Sequence, residues 1–222
     1  MQDIHVLMVD DHPIIIEGYQ NTLMATKRDT QNLIIDTANN CDSALLLMQN
    51  AALEKPFDVC FFDISLPPSS DGRITSGEDL AKLCREIMPG TKVVILTMFY
   101  ESFRIRGIIK EIAPEGFLIK SDLTSMELAE AFQHILDSPP YYSSTVAQYL
   151  KKAATADEYV DEINRKILYL LSKGTKTKNL TDHIDLSMSA IEKRKKQLKE
   201  IFKVKDGKDE TLISKAKEQG LL

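Results

Sequence analysis

The stretch "VLMVDDHPIII", residues 6–16, decides how the chain is read. An apolar run of strand-forming residues ends in two adjacent acids, Asp10 and Asp11, followed by His12 and Pro13. Such a run reads as a buried strand, and a proline just beyond it suits the first position of a helix. Neighbouring carboxylates repel each other, and a core strand has no structural need for them at its end. Their reason lies in something of opposite charge.

Working outward, strand-like runs recur at residues 4–9, 33–37, 59–64, 93–97 and 116–119. Segments of helical period separate them, marked for instance by Ala44, Leu47 and Met48, by Leu80, Leu83, Cys84 and Ile87, and by Leu128, Ala131, Phe132 and Ile135. The fourth such segment carries Phe103, Ile105, Ile108 and Ile109. Short apolar strands alternating with helices predict an α/β fold, a doubly wound five-stranded parallel sheet. Ligands of such sheets bind beyond the carboxyl ends of the strands. Asp10 and Asp11 stand at one such end, Asp63 at another, Thr97 at a third and Lys120 at a fourth.

At 222 residues, 43% hydrophobic and 27% charged, the chain suits two soluble domains of ordinary size. No apolar run approaches a membrane span, and the first residues lack the basic-then-apolar order of a secretion signal. Cys41, Cys60 and Cys84 lack metal-ligand spacing and read as small buried residues of a reducing cytosol. The net charge of −5 hides an asymmetry: residues 158–222 hold 15 Lys/Arg against 11 Asp/Glu, the rest 13 against 22. The alternating pattern stops near Asp137, "SPPYYSST" breaks the chain, and a linker helix is expected over 144–153. The expected division is 1–137, a linker 138–157, and an all-helical part 158–222.

Asp10, Asp11 and Asp63 form an oxygen-only donor set of the kind that suits a hard cation such as Mg2+. Lys120 and Thr97 add an ammonium and a hydroxyl donor, completing a pocket for a phosphoryl group with Asp63 as nucleophile. Taken singly, Lys120 is an ordinary surface lysine, Thr97 a strand threonine and Asp63 a turn residue. Their placement at successive strand ends makes the joint reading the stronger one.

"VDDHPIIIEG", "DVCFFDISLP", "VVILTMF" and "GFLIK" resemble the receiver domain of two-component response regulators, in particular the NarL/FixJ type. The resemblance spans roughly the first 137 residues and implies a flavodoxin-like receiver fold. It implies that Asp63 accepts a phosphoryl group from a sensor histidine kinase, with Mg2+ held by Asp11, Asp63 and the backbone carbonyl of Ser65, and Asp10 acting through water. It places Thr97 and Lys120 on the phosphoryl oxygens and makes Thr97 and Phe117 the switch residues. His12 is read as standing behind the site, not in it. Three departures stand out: "SLPPSSDGRITSGEDL" is about six residues longer than the usual loop, Met98 replaces a small residue and is expected to shield the phosphoryl group, and Ser121 replaces a common proline.

In the tail, Ile163, Ile167, Leu170 and Leu171 share a helical face, and Gly174 reads as a C-cap. A short helix is expected around 178–184, then a longer one capped by Ser187 or Ser189, with Ile191, Leu198, Ile201 and Phe202 on its buried face. Its other face is mostly basic, which suits a DNA-docking helix and equally an ordinary solvated one. "ILYLLSKG", "LSMSAIEKRKKQL" and "LISKAKEQGLL" resemble the LuxR-type helix-turn-helix. That likeness puts Glu192, Lys193 and Lys196 at base-facing positions and makes Ser187, Ser189 and Arg194 candidates for phosphate contacts. Asn164, Thr181, Glu192 and Arg194 depart from the usual pattern there.

The resemblances imply a cytoplasmic transcription regulator, not an enzyme beyond its own phosphoryl transfer and dephosphorylation, that binds double-stranded DNA as a homodimer when phosphorylated and engages no membrane. A receiver-controlled protein-interaction module is the alternative, motivated by the acid at Glu192. An aspartate-nucleophile phosphohydrolase stands further back, since such enzymes carry a second acid where this chain has Ser65.

Overall fold

The computed structural model describes the chain except residues 99–101, 157–159 and 219–220, and, for side chains, also 102–103 and 152–156. Phe99 of the "VVILTMF" stretch, the Phe103 side chain, the expected domain start at Glu158 and Gln219–Gly220 of the closing stretch therefore lie outside the described residues. The chain divides into two compact units, residues 1–100 with 108–146, and residues 101–107 with 147–222.

The first unit carries β1 (Gln2–Val9), α1 (Pro13–Thr26), β2 (Gln31–Ala38), α2 (Cys41–Leu53), β3 (Val59–Asp63), α3 (Gly77–Ile87) and β4 (Lys92–Thr97). There follow α4 (Ser102–Ile112), β5 (Gly116–Ile119), a 3-10 turn at Lys120–Asp122, α5 (Ser125–Asp137), β6 (Tyr141–Tyr142) and α6 (Ser144–Ala156), of which α4 up to residue 107 and α6 from residue 147 are counted with the second unit. All pairings are parallel, in the order β2-β1-β3-β4-β5-β6. Side chains alternate across the sheet, so Val6, Met8, Phe61, Leu96 and Leu118 form one core layer with α1 and α5, through Leu23, Leu128 and Phe132. The opposite face receives α2 and α3, with Cys41, Met48, Leu80 and Cys84 fully buried. All three cysteines are free and buried.

The sheet has six strands, not the expected five. After α5 the Pro139–Pro140 pair cannot continue a helix, and the chain returns beside β5. Tyr141 N–H donates to Glu115 O at 2.8 Å and Ser143 N–H to Phe117 O at 3.0 Å. Two residues are too few to show a strand period, so the tyrosines read as linker.

The second unit contains α7 (Glu162–Ser172), a 3-10 segment at Thr177–Asp182, α8 (Met188–Ile201) and α9 (Asp209–Glu218) around Ile167, Leu168, Leu180, Ile191, Leu198 and Leu212. Gly174, at φ +83°, ends α7 as expected. Two faces differ from expectation: Ile163 is 36% and Ile201 39% exposed. Each sits at a helix end, where the apolar stripe turns off the core. The short helix is a 3-10 segment beginning at Thr177, too brief for an α-helical ladder.

Candidate functional site

Sheet register brings the strand-end residues together. Val9 pairs with Phe62, so Asp10 and Asp63 leave the sheet at one level. Asp63 pairs with Leu96 and Thr97 with Ile119, which sets Thr97 and Lys120 one step beyond. After the long loop, the start of α3 can close onto the end of β3 because residue 77 is glycine: a Cβ there would lie 1.8 Å from Asp63 O.

Asp10 and Asp63 are each 2% exposed. Lys120 Nζ lies 2.6 Å from Asp10 Oδ2 and 3.0 Å from Asp63 Oδ2. Asp63 Oδ1 accepts from Ser65 N–H at 3.3 Å. His12 Nδ1 stands 2.7 Å from Asp11 Oδ1 and 3.3 Å from Asp10 Oδ1, so the histidine contacts both acids at the rim. Carboxylate and imidazole atoms of Asp10, Asp11, His12 and Asp63 all fall within 4.8 Å of one another. Burial pushes the Asp63 carboxyl up and, with Asp10 adding to it, outweighs the Lys120 ammonium. Three carboxylates thus face one ammonium; Asp10 Oδ2 and Asp11 Oδ1 are buried and touched by Lys120 and His12, but neither contact has hydrogen-bond geometry.

The remaining residues fall as follows. Thr97 and Phe117 are buried, at 1% and 0% exposure. Met98 is exposed and lines, with Ile14, Tyr19, Lys120 and Leu123, an open cavity of about 370 Å³. Burial, with Asp10 and Asp63 nearby, pushes the Tyr19 hydroxyl up to about 12. The long loop after β3 is laced on itself. Ser69 N–H donates to Ile74 O at 2.8 Å, and Ser69 Oγ accepts from Ile74 N–H at 3.1 Å and donates to Asp71 Oδ1 at 2.7 Å. Asp42 at the start of α2 holds it, accepting from Ser70 N–H and Oγ at 3.0 Å each.

In the second unit, Ser187 caps α8, its Oγ accepting from Ala190 N–H at 3.3 Å. Ser187, Ser189, Glu192, Lys193 and Lys196 are exposed. Arg194 is turned inward, its Nη1 2.6 Å from Asp161 Oδ2 and 3.1 Å from Asn164 Oδ1. Two residues that depart from the helix-turn-helix pattern, Asn164 and Arg194, therefore meet each other. Lys195 is 6% exposed and bonds Thr177 Oγ1 at 2.6 Å and Asp209 Oδ2 at 2.8 Å. Lys199 Nζ reaches Asp209 Oδ1 at 2.6 Å. These engagements leave Lys193 and Lys196 as the α8 cations without an ion-pair partner among the described residues. Partners 14 and 33 residues away set the inward side chains, which no local pattern reveals.

Comparison with known proteins bears on the whole chain. The oxygen regulatory protein NreC of Staphylococcus epidermidis is 21% identical over 203 residues, covering 86% of this chain and 87% of NreC. The transcriptional regulatory protein MctR of Rhizobium johnstonii is 24% identical over 198 residues, covering 88% and 86%. A solved structure of two RcsB dimers bound to two parallel DNAs superposes with a TM-score of 0.64 at 19% identity, covering 97% of this chain and 98% of that one. RcsB from Salmonella enterica serovar Typhimurium, bound to a promoter in the presence of the phosphomimetic BeF3−, gives 0.62 at 19% identity and covers both chains fully, at 100% each. At those identities the likeness speaks for a parallel α/β unit followed by a helical one. The response regulator receiver domain family matches residues 6–133, more than half of the chain and all of the strand-end acids. The chain belongs to the response regulator receiver family.

Proposed function

We propose that this chain is a phosphorylation-controlled transcription regulator of the cytoplasm: a sensor histidine kinase phosphorylates Asp63, and sequence-specific binding of double-stranded DNA by a homodimer follows. The observation that carries this reading is the charge imbalance at the strand ends, three carboxylates against one buried ammonium. The clustered carboxylate oxygens of Asp10, Asp11 and Asp63 fit a divalent cation. Asp11, Asp63 and the Ser65 carbonyl would hold Mg2+, with Asp10 behind them. Bound there, Mg2+ supplies positive charge against the phosphoryl oxygens. An Asp63 carboxylate oxygen takes the phosphoryl group as the bond to the kinase's histidine nitrogen breaks, and Lys120 and Thr97 bond the transferred oxygens. Thr97 and Phe117, both buried, carry the change into the core. The chain is not an enzyme toward any other substrate.

DNA binding rests on the exposed face of α8, with Lys193 and Lys196 meeting guanine or phosphate, Glu192 meeting a cytosine amino group, and Ser187 and Ser189 meeting phosphates. NreC and MctR are named as regulators and RcsB is seen on DNA, which supports the reading. A second reading, that the helical unit docks a protein, is favoured by one observation: Arg194, Lys195 and Lys199 are all engaged internally, beside the acid Glu192. Selection from a random duplex library, with and without Mg2+ and beryllofluoride, decides between them. A beryllofluoride-dependent motif that is lost in Asp63→Asn supports the first reading; folded protein with no enrichment in either state supports the second.

A further inference from the structure

Lys120 is the first residue of a one-turn 3-10 segment, and both flanks of that turn are tied to the start of α6. On one flank, Ile119 N–H donates to Ser143 Oγ at 3.1 Å, and Ser143 is 3% exposed. On the other, Asp122 Oδ2 accepts from Thr145 N–H at 3.0 Å and Asp122 Oδ1 from Thr145 Oγ1 at 2.7 Å. A carboxylate on first-turn amides stabilises a helix start, through both the hydrogen bond and the helix dipole. Val146, the next residue, is fully buried and fixes the turn in place. The register-bearing bond from Ser143 N–H to Phe117 O completes the connection.

We propose that Asp122, Ser143 and Thr145 form a latch through which the state of Asp63 is read at the first turn of α6. The inference rests on the phosphoryl reading of Asp63. Lys120 Nζ now divides itself between Asp10 Oδ2 and Asp63 Oδ2. A phosphoryl group on Asp63 offers this ammonium new anionic oxygens farther from the sheet. Lys120 is confined, its side chain only 5% exposed, so its shift passes into the backbone of a three-residue turn. That turn also ends in Asp122, so the carboxylate moves against Thr145. From Val146 onward α6 is the covalent path out of the first unit, and a change in its first turn is carried along it. Asp122 and Ser143 are positioning residues: they act on the site through Lys120 and on the helix through Thr145.

The test uses the full chain with Mg2+ and beryllofluoride. Bound beryllofluoride is followed by 19F NMR, and the amides of residues 144–148 by hydrogen exchange. In the wild type, beryllofluoride should change exchange at these amides about tenfold, the worth of one hydrogen bond to a charged group. In Asp122→Ala the amides should exchange fast in both states. Beryllofluoride affinity should shift by the same factor, because coupling is reciprocal. Thr145→Val, which keeps the backbone bond, should show a smaller effect in the same direction and carries the test if Asp122→Ala does not fold. Bound beryllofluoride with unchanged α6 exchange in the wild type would overturn the latch alone. Absence of any bound 19F signal would overturn the phosphoryl reading of Asp63, and the latch with it.

Discussion

Among the described residues, the side chains of Lys120 and Lys195 are buried on carboxylates, and their settings are opposite. Lys120 serves two buried aspartates, Asp10 and Asp63, with Asp11 close by. Asp209 is served by two lysines, Lys195 and Lys199. The titration of the acids follows this arithmetic. Burial pushes Asp63 up and prevails over the lysine it shares. Burial also pushes Asp209 up, but bonds from Lys195 and Lys199 outweigh it and hold the carboxyl below its usual range. One cluster is a closed structural clasp between α8 and the start of α9. The other is left with excess negative charge, three carboxylates around one ammonium, the condition of a place that takes in a cation.

The comparison can be broken most directly at Asp63. Asp63→Asn should abolish phosphoryl uptake from a small-molecule phosphodonor, read by phosphate-affinity gel, while leaving the chain folded. Lys120→Met comes next. Without Mg2+ it strands buried carboxylates and should cost about 3–5 kcal/mol in urea unfolding. Mg2+ at a hundred times its Kd should return about 2.7 kcal/mol to this variant. Lys195→Met should cost less, about 1–3 kcal/mol, since Lys199 still serves Asp209, and Mg2+ should return none of it.

The pH dependence separates the two acids by sign. Asp209 has a lowered folded pKa, so its contribution is present above the unfolded value near 4 and is lost as pH falls through the folded one. Asp63 has a raised folded pKa: its charge costs stability above that pKa, and the cost is gone below the unfolded value. In Mg2+-free urea titrations, Asp209→Asn should therefore be less stable than wild type at pH 7 and equal to it at strongly acid pH. Asp63→Asn should be more stable at pH 7, with the gain fading toward pH 4. Equal signs would mean that the two clusters are alike after all. The smallest effect distinguishes Arg194 from its neighbour. Lys193→Ala should lower the salt slope of DNA binding by about one, whereas Arg194→Ala should leave the slope and lower stability.

Much of the first unit was legible because its signals are local. A strand that must be apolar on both faces cannot hide, and acids, a threonine and a lysine at strand ends need only the parallel register to meet. The need for glycine at residue 77 was not legible; it came from the approach of the Asp63 carbonyl. The helical unit was harder. Of the four consecutive basic residues 193–196, Lys195 is buried and Arg194 turned inward, each by an acid far along the chain. Charge type is visible in sequence, whereas the partner that neutralises it is a property of packing. Ser143 and Thr145 were passed over because small hydroxyls in a proline-broken stretch look like any linker.

The two tyrosines of β6 bear on where the chain can be cut. Without them β5 would present a bare outer edge of backbone N–H and C=O groups, a template for another strand. A receiver fragment ended at residue 137, where helical periodicity stops, should self-associate and precipitate. Extended through residue 146, it keeps that edge covered and Val146 in its core, and should stay monodisperse in the unphosphorylated state.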